Sequence, residues 1–173
     1  ASAQTGAEVA ANYGKRGPQQ VIELPDSGLW FNVLSPFKFS ERKNKILVLN
    51  YWSPGEVNAR ETIALLEEFA TENKEVELLT IYKPSSPLDA DPAIIVRNIR
   101  SFGINHSVFM PASMEAFAPM NFHAFPSTTV VLGGGELFTN HSGMQGVKTM
   151  ISNLSGLLEG AGDVGNFSSS SPT

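Results

Sequence analysis

Lys45-Ile46-Leu47-Val48-Leu49-Asn50-Tyr51-Trp52-Ser53-Pro54-Gly55-Glu56-Val57-Asn58-Ala59 is the stretch that decides the fold. Its first seven residues are nearly all apolar, the pattern of a strand covered on both faces. Trp52-Ser53-Pro54-Gly55 breaks the run. The spacing then predicts a helix over 56–71. Ala59, Ile63, Leu66 and Ala70 share one face, with Leu65 and Phe69 beside them, while Arg60, Glu67 and Glu68 take the outer side. A buried strand, a sharp turn and an amphipathic helix form the unit from which an α/β sheet grows.

Working outward, Val21–Leu24 and Leu29–Val33 flank the turn signal Pro25-Asp26-Ser27-Gly28 and read as a hairpin. Glu75–Tyr82 reads as the next strand. Asp91-Pro92 marks a helix start, with Asp as N-cap and Pro at the first helical position, and Gly103 marks its end. Ser107–Met110 is a short strand, and Met114–Ala118 a short helix stopped by Pro119. Thr128–Leu132 and Glu136–Asn140 are antiparallel partners around Gly133-Gly134-Gly135. No helix and no Lys-Ser/Thr follows that glycine trio, so it is a turn rather than a phosphate loop. Val147–Leu158 closes the series as an amphipathic helix. The order implies an α/β domain over 20–159, a mixed central sheet with helices on both faces. Residues 1–19 read as a flexible arm and 160–173 as a Ser/Gly-rich tail.

Composition narrows the chemistry. The chain has 173 residues, 42% hydrophobic and 17% charged, with net charge −5 and no cysteine. The acidic balance, without a basic stripe, argues against nucleic acid. No run approaches the ~20 apolar residues of a membrane span. Absent cysteine excludes disulfides, thiolate metal sites and thiol nucleophiles. Ala1-Ser2-Ala3 has the small-residue character of an A-x-A cleavage site, which an artificial start would match equally. His106, His123 and His141 are too few and too scattered for a metal site, and no nucleophile elbow is present. Met110, Met114 and Met120 with Phe109, Phe117 and Phe122 read as core. The Asn-x-Ser sequons at Asn105, Asn140, Asn153 and Asn166 are near chance for this composition.

Three segments together resemble the thioredoxin-like superfamily, and within it the TlpA/ResA branch, which carries a hairpin before its core. Lys45–Pro54 is similar to the strand that enters F-W-A-x. Val96–Met110 is similar to the helix, the y-G-i break and the strand after it. Phe125-Pro126-Ser127-Thr128-Thr129-Val130-Val131-Leu132, followed by a glycine turn and Glu136-Leu137-Phe138, is similar to the x-P-T segment whose proline is cis. The departure lies in the redox motif W-x-x-x-C-x-x-C. With Trp52 on the family tryptophan, Glu56 and Ala59 occupy the two cysteine positions, and Ala59-Arg60-Glu61 keeps the look of the C-R-x ending.

Thiol–disulfide exchange needs a thiolate, and neither Glu56 nor Ala59 supplies one. The resemblance therefore implies a fold without its reaction, and no cofactor. A helix N-terminus at Glu56 favours its carboxylate, either as a solvated first-turn residue or as a contact for a partner's cation. The resemblance further implies a peptide- or protein-binding groove formed by Trp52, Ser53, Pro54, Gly55, Phe125 and Pro126, with Trp52 flanking it and Phe125 offering backbone hydrogen bonds. A protein-binding or scaffold module is the expected role, and an enzyme of non-thiol chemistry centred on Glu56 is the alternative. An extracytoplasmic location follows from the resemblance alone.

Overall fold

Six strands make one mixed sheet: β1 (Gly28–Phe31), β2 (Ile46–Trp52), β3 (Val76–Tyr82), β4 (Ser107–Pro111), β5 (Ser127–Leu132) and β6 (Glu136–Ser142), in the spatial order β1-β4-β3-β2-β5-β6. Among the described residues three α-helices accompany it: α1 (Ala59–Glu72), α2 (Pro92–Phe102) and α3 (Gly143–Gly162). The computed structural model describes residues 20–122, 124–132 and 134–162. The expected arm over 1–19, His123, Gly133 and the tail from 163 onward lie outside the described residues.

Strand β2 sits at the centre because all seven of its residues are buried. It pairs in parallel with β3, Val48 against Leu78, and antiparallel with β5, Val48 against Val130. On one face, Ile46, Val48, Leu78, Val130 and Leu132 pack under Leu66 and Phe69 of α1 and Val147, Met150, Leu154 and Leu158 of α3. Farther along that face, Trp52, Tyr82 and Val108 meet Ala59 and Ile63 of α1 and Ile95 and Ile99 of α2. Helix α2 has the predicted ends. The Asp91 carboxylate accepts the Ala93 N–H at 2.8 Å, Pro92 opens the first turn, and Gly103 closes the helix at φ +73°. Positive φ is steeply disfavoured for side chains with a Cβ, so glycine suits that stop.

Helices on both faces were expected; among the described residues all three α-helices lie on one. The other face, carrying Leu47, Leu49, Leu79, Ile81, Phe109 and Val131, is closed by Ile22, Leu24, Phe37, Phe39, Phe117 and Met120. Phe117 and Met120 come from Glu115–Met120, a 3-10 turn rather than the expected helix over 114–118. Pro119 within it removes a backbone donor and clashes with a continuing α-helix. The hairpin is also corrected. Val21 bridges Glu136 at the β6 edge, whereas Gly28–Phe31 pairs with β4 at the opposite edge. Between those edges the chain crosses beneath the sheet and buries Ile22 and Leu24. Burial of apolar surface over the sheet outweighs a local pairing of two short segments. The last helix is longer than expected, beginning at Gly143.

Candidate functional site

The β2–β5 pairing ends at Tyr51↔Ser127. The β2–α1 loop and the segment before Pro126 thus leave the sheet at the same end. Of the residues singled out from sequence, Ser53, Pro54, Gly55 and Glu56 lie on the β2–α1 loop, between Trp52 at the end of β2 and Ala59 at the start of α1, and Phe125-Pro126 precede β5.

The loop consists of two linked turns. The Glu56 N–H donates to the Ser53 carbonyl at 3.3 Å, and the Ala59 N–H to the Glu56 carbonyl at 3.1 Å. Helix α1 begins only at Ala59, with Asn58 as its N-cap. The expected start at Glu56 is therefore three residues early, because Pro54-Gly55 and the two turns use up the chain before a helical ladder forms. Glu56 lies outside the first turn, where the helix field is weak. Its side chain is exposed and hydrogen-bonds to nothing among the described residues. Ala59 is buried under Trp52.

Trp52 does not flank a groove. It is 1% exposed, donates from Nε1 to the Ala59 carbonyl at 2.9 Å, and meets Phe102 edge-on at 5.1 Å. It forms the floor beneath the loop. Ser53 is buried as well, and its Oγ lies 2.5 Å from the Ser85 Oγ. The Ser85 Oγ also accepts the Gly55 N–H at 2.8 Å, and the Ser85 N–H donates to Asp89 at 3.1 Å. A Cβ at Gly55 would come within 2.5 Å of the Ser85 Oγ, so this close approach requires glycine. The 53–58 loop is thus fastened to the 83–89 loop by hydroxyl groups. Sequence gave no signal for Ser85, which sits in a proline-rich loop 30 residues beyond Gly55.

The Phe125–Pro126 peptide bond is cis, and Pro126 is buried, its carbonyl accepting the Gly143 N–H at 2.7 Å. Phe125 is half-buried and stacks on Tyr51 at 4.7 Å, while Phe122 stacks on the same ring system at 4.6 Å. Burial raises the Tyr51 phenol above its ordinary pKa, so it stays neutral. The Phe125 backbone N–H and carbonyl have no hydrogen-bond partner among the described residues.

A buried polar chain runs behind this site, and sequence reasoning missed it by placing Glu67 on the outer side of α1. Glu67 Oε2 accepts the Asn105 N–H at 2.6 Å and lies 2.6 Å from His106 Nδ1. His106 Nε2 lies 2.7 Å from the Thr80 hydroxyl, to which Asn50 Nδ2 donates at 3.2 Å. The donor order consistent with these contacts runs from Asn50 through the Thr80 hydroxyl to Nε2, and from Nδ1–H to Glu67, and leaves the buried Asn50 Oδ1 without a partner among the described residues. Burial pushes the Glu67 carboxyl up, but hydrogen bonds from His106 and Asn105 outweigh it and hold the group below its ordinary pKa. Thr80 is fully buried, so this Thr–His–Glu series braces β2, β3 and α1 and presents no nucleophile. Among the described residues, no cluster of three or more His, Asp or Glu is placed to hold a metal.

The architecture is the thioredoxin-like fold. Solved structures that share it include the thioredoxin-like superfamily protein SPOA0173, at TM-score 0.67 and 17% identity over 82% of this chain and 97% of that one. A putative thiol:disulfide interchange protein DsbE from Chlorobium tepidum matches at TM-score 0.61 and 9% identity, covering 91% of this chain and 98% of the other. The exposed lipoprotein thioredoxin Etrx1 from Streptococcus pneumoniae matches at TM-score 0.60 and 18% identity, covering 80% and 100%. No family model matches the chain. No curated protein matches it by sequence. With no cysteine anywhere in the sequence, the thiol–disulfide motif of such oxidoreductases is absent.

Proposed function

We propose that this chain is a redox-inactive thioredoxin-like module that binds a protein segment at the end of the sheet where the 53–58 loop and Phe125 lie. The observation that carries the reading is the Phe125 backbone. Its N–H and carbonyl have no partner among the described residues, at the sheet end that also bears a loop held in place by Ser85. A half-buried peptide group without a partner favours an incoming strand that completes its hydrogen bonds. The fastened loop reduces the ordering that such binding would otherwise require. Val57, 97% exposed at the loop tip, adds an apolar contact. An acid–base role for Glu56 would call for a desolvated carboxylate, and Glu56 stands in solvent.

An extracytoplasmic setting is part of the same proposal. It is supported by the company of an exposed lipoprotein and of a secreted Mycobacterium tuberculosis disulfide oxidoreductase among the fold's neighbours. A photo-crosslinking residue at Val57, in the full chain expressed in its own cell, tests the binding role. The expected product is a discrete adduct with one protein species that vanishes when the crosslinker is moved to Glu159 on α3. Recovery of uncrosslinked chain alone would overturn the reading.

A further inference from the structure

A second concavity shares no lining residue with the Phe125 site. It lies between β6 and α3 and encloses about 760 Å³. Small-molecule sites have volumes of roughly 300–1,000 Å³, mostly apolar walls and a few polar groups. Val130, Met150, Leu154 and Leu157 give this groove an apolar wall, and Thr139, His141, Ser152 and Asn153 give it four polar groups, of which the Thr139 hydroxyl is buried without a partner among the described residues. No Asp, Glu, Lys or Arg lines it among the described residues. Burial lowers the pKa of His141, so that imidazole is neutral near pH 7.

Gly156 lines the groove on the helix side. A Cβ built there meets nothing within 4 Å among the described residues. Elsewhere in α3 glycine has a packing reason, since a Cβ at Gly146 would meet the His141 carbonyl carbon at 2.9 Å. At Gly156 no neighbour excludes a side chain, and mid-helix glycine is unfavourable.

We propose that the β6–α3 groove binds a small, uncharged, amphipathic molecule with an apolar body and a hydrogen-bonding hydroxyl head, of which a medium-chain alcohol is the simplest representative. The size selects a small molecule over a polypeptide strand. The apolar wall selects its body. The lack of a charged wall selects an uncharged head, because a carboxylate or ammonium would lose its water without gaining a counter-charge. This site is independent of the proposed protein-binding role.

The test titrates the full chain with 1-octanol and with octanoate at pH 8, followed by backbone amide NMR. 1-Octanol should shift the amides of His141, Asn153 and Leu157 saturably, and octanoate should bind about tenfold more weakly or worse. Gly156→Phe fills the groove and should weaken 1-octanol by about tenfold or more. Glu159→Ala, on α3 but outside the groove lining, should stay folded and keep binding. Absence of saturable shifts in the parent chain, parent-like binding by Gly156→Phe, or equal affinity for octanoate would each overturn the proposal.

Discussion

The Trp52 indole nitrogen donates to the Ala59 carbonyl at 2.9 Å, tying the last residue of β2 to the first residue of α1. The bond spans the whole 53–58 loop, so the loop is closed at its base. Trp52→Phe removes that donor and leaves part of the indole volume empty. Stability should fall by about 2 kcal/mol. Urea unfolding checks this, with a lower midpoint and an unchanged m-value as the expected result.

The second prediction concerns the lost chemistry. The hydrogen bond from the Ala59 N–H to the Glu56 carbonyl closes a four-residue turn. Such a turn keeps its end Cα atoms within about 7 Å, close to the ~4.4–6.8 Å that a disulfide spans. Glu56→Cys with Ala59→Cys should therefore form an intramolecular disulfide on mild oxidation. Thiol counting and mass spectrometry check it. Intermolecular dimers in place of that bond would mean that these two positions do not correspond to a redox pair.

Acid should weaken the fold through Glu67. Its carboxyl is held below its ordinary pKa in the folded state by His106 and Asn105. The stabilisation is therefore complete above the unfolded value, about 4.3, and is lost as pH falls through the lower folded value. Glu67→Gln should lose about 1 kcal/mol at pH 7 after allowance for solvent screening. It should also show a flatter decline below pH 5 than the parent. Thermal unfolding midpoints between pH 7 and pH 3 provide the measurement. Equal slopes in both proteins would remove Glu67 from the account.

Two glycines of one helix should respond in opposite directions to alanine. At Gly146 the new Cβ presses on the His141 backbone, and since backbone cannot give way cheaply, stability should fall by about 1–3 kcal/mol. At Gly156 it enters open space, and the gain in helix propensity should raise stability by about 1 kcal/mol. Chemical denaturation of the two variants decides it.

Much of the scaffold was legible because its signals are local. The apolar run of β2, the Asp91-Pro92 cap and the Gly103 stop each depend on a few adjacent residues, and each element formed within one or two positions of its predicted ends. The α1 start was misread because periodicity marks the helical face and not the turns ahead of it. The hairpin was misread because strand partners are set by burial across the sheet, which short-range patterning does not contain. The site divided in the same way. Glu56 and Ala59 were singled out by their spacing from Trp52, but Ser85, which fastens the loop, carries no local signature.

By itself the sequence determined the strand–turn–helix units and the loss of thiol chemistry, since covalent composition cannot be altered by folding. Only the tertiary structure decided that Trp52 is floor and not wall, that Glu67 faces His106, and that Phe125 keeps a peptide group without a partner among the described residues. Those facts depend on distances between residues far apart in the chain. Packing sets them by burying the most apolar surface that the buried polar groups allow.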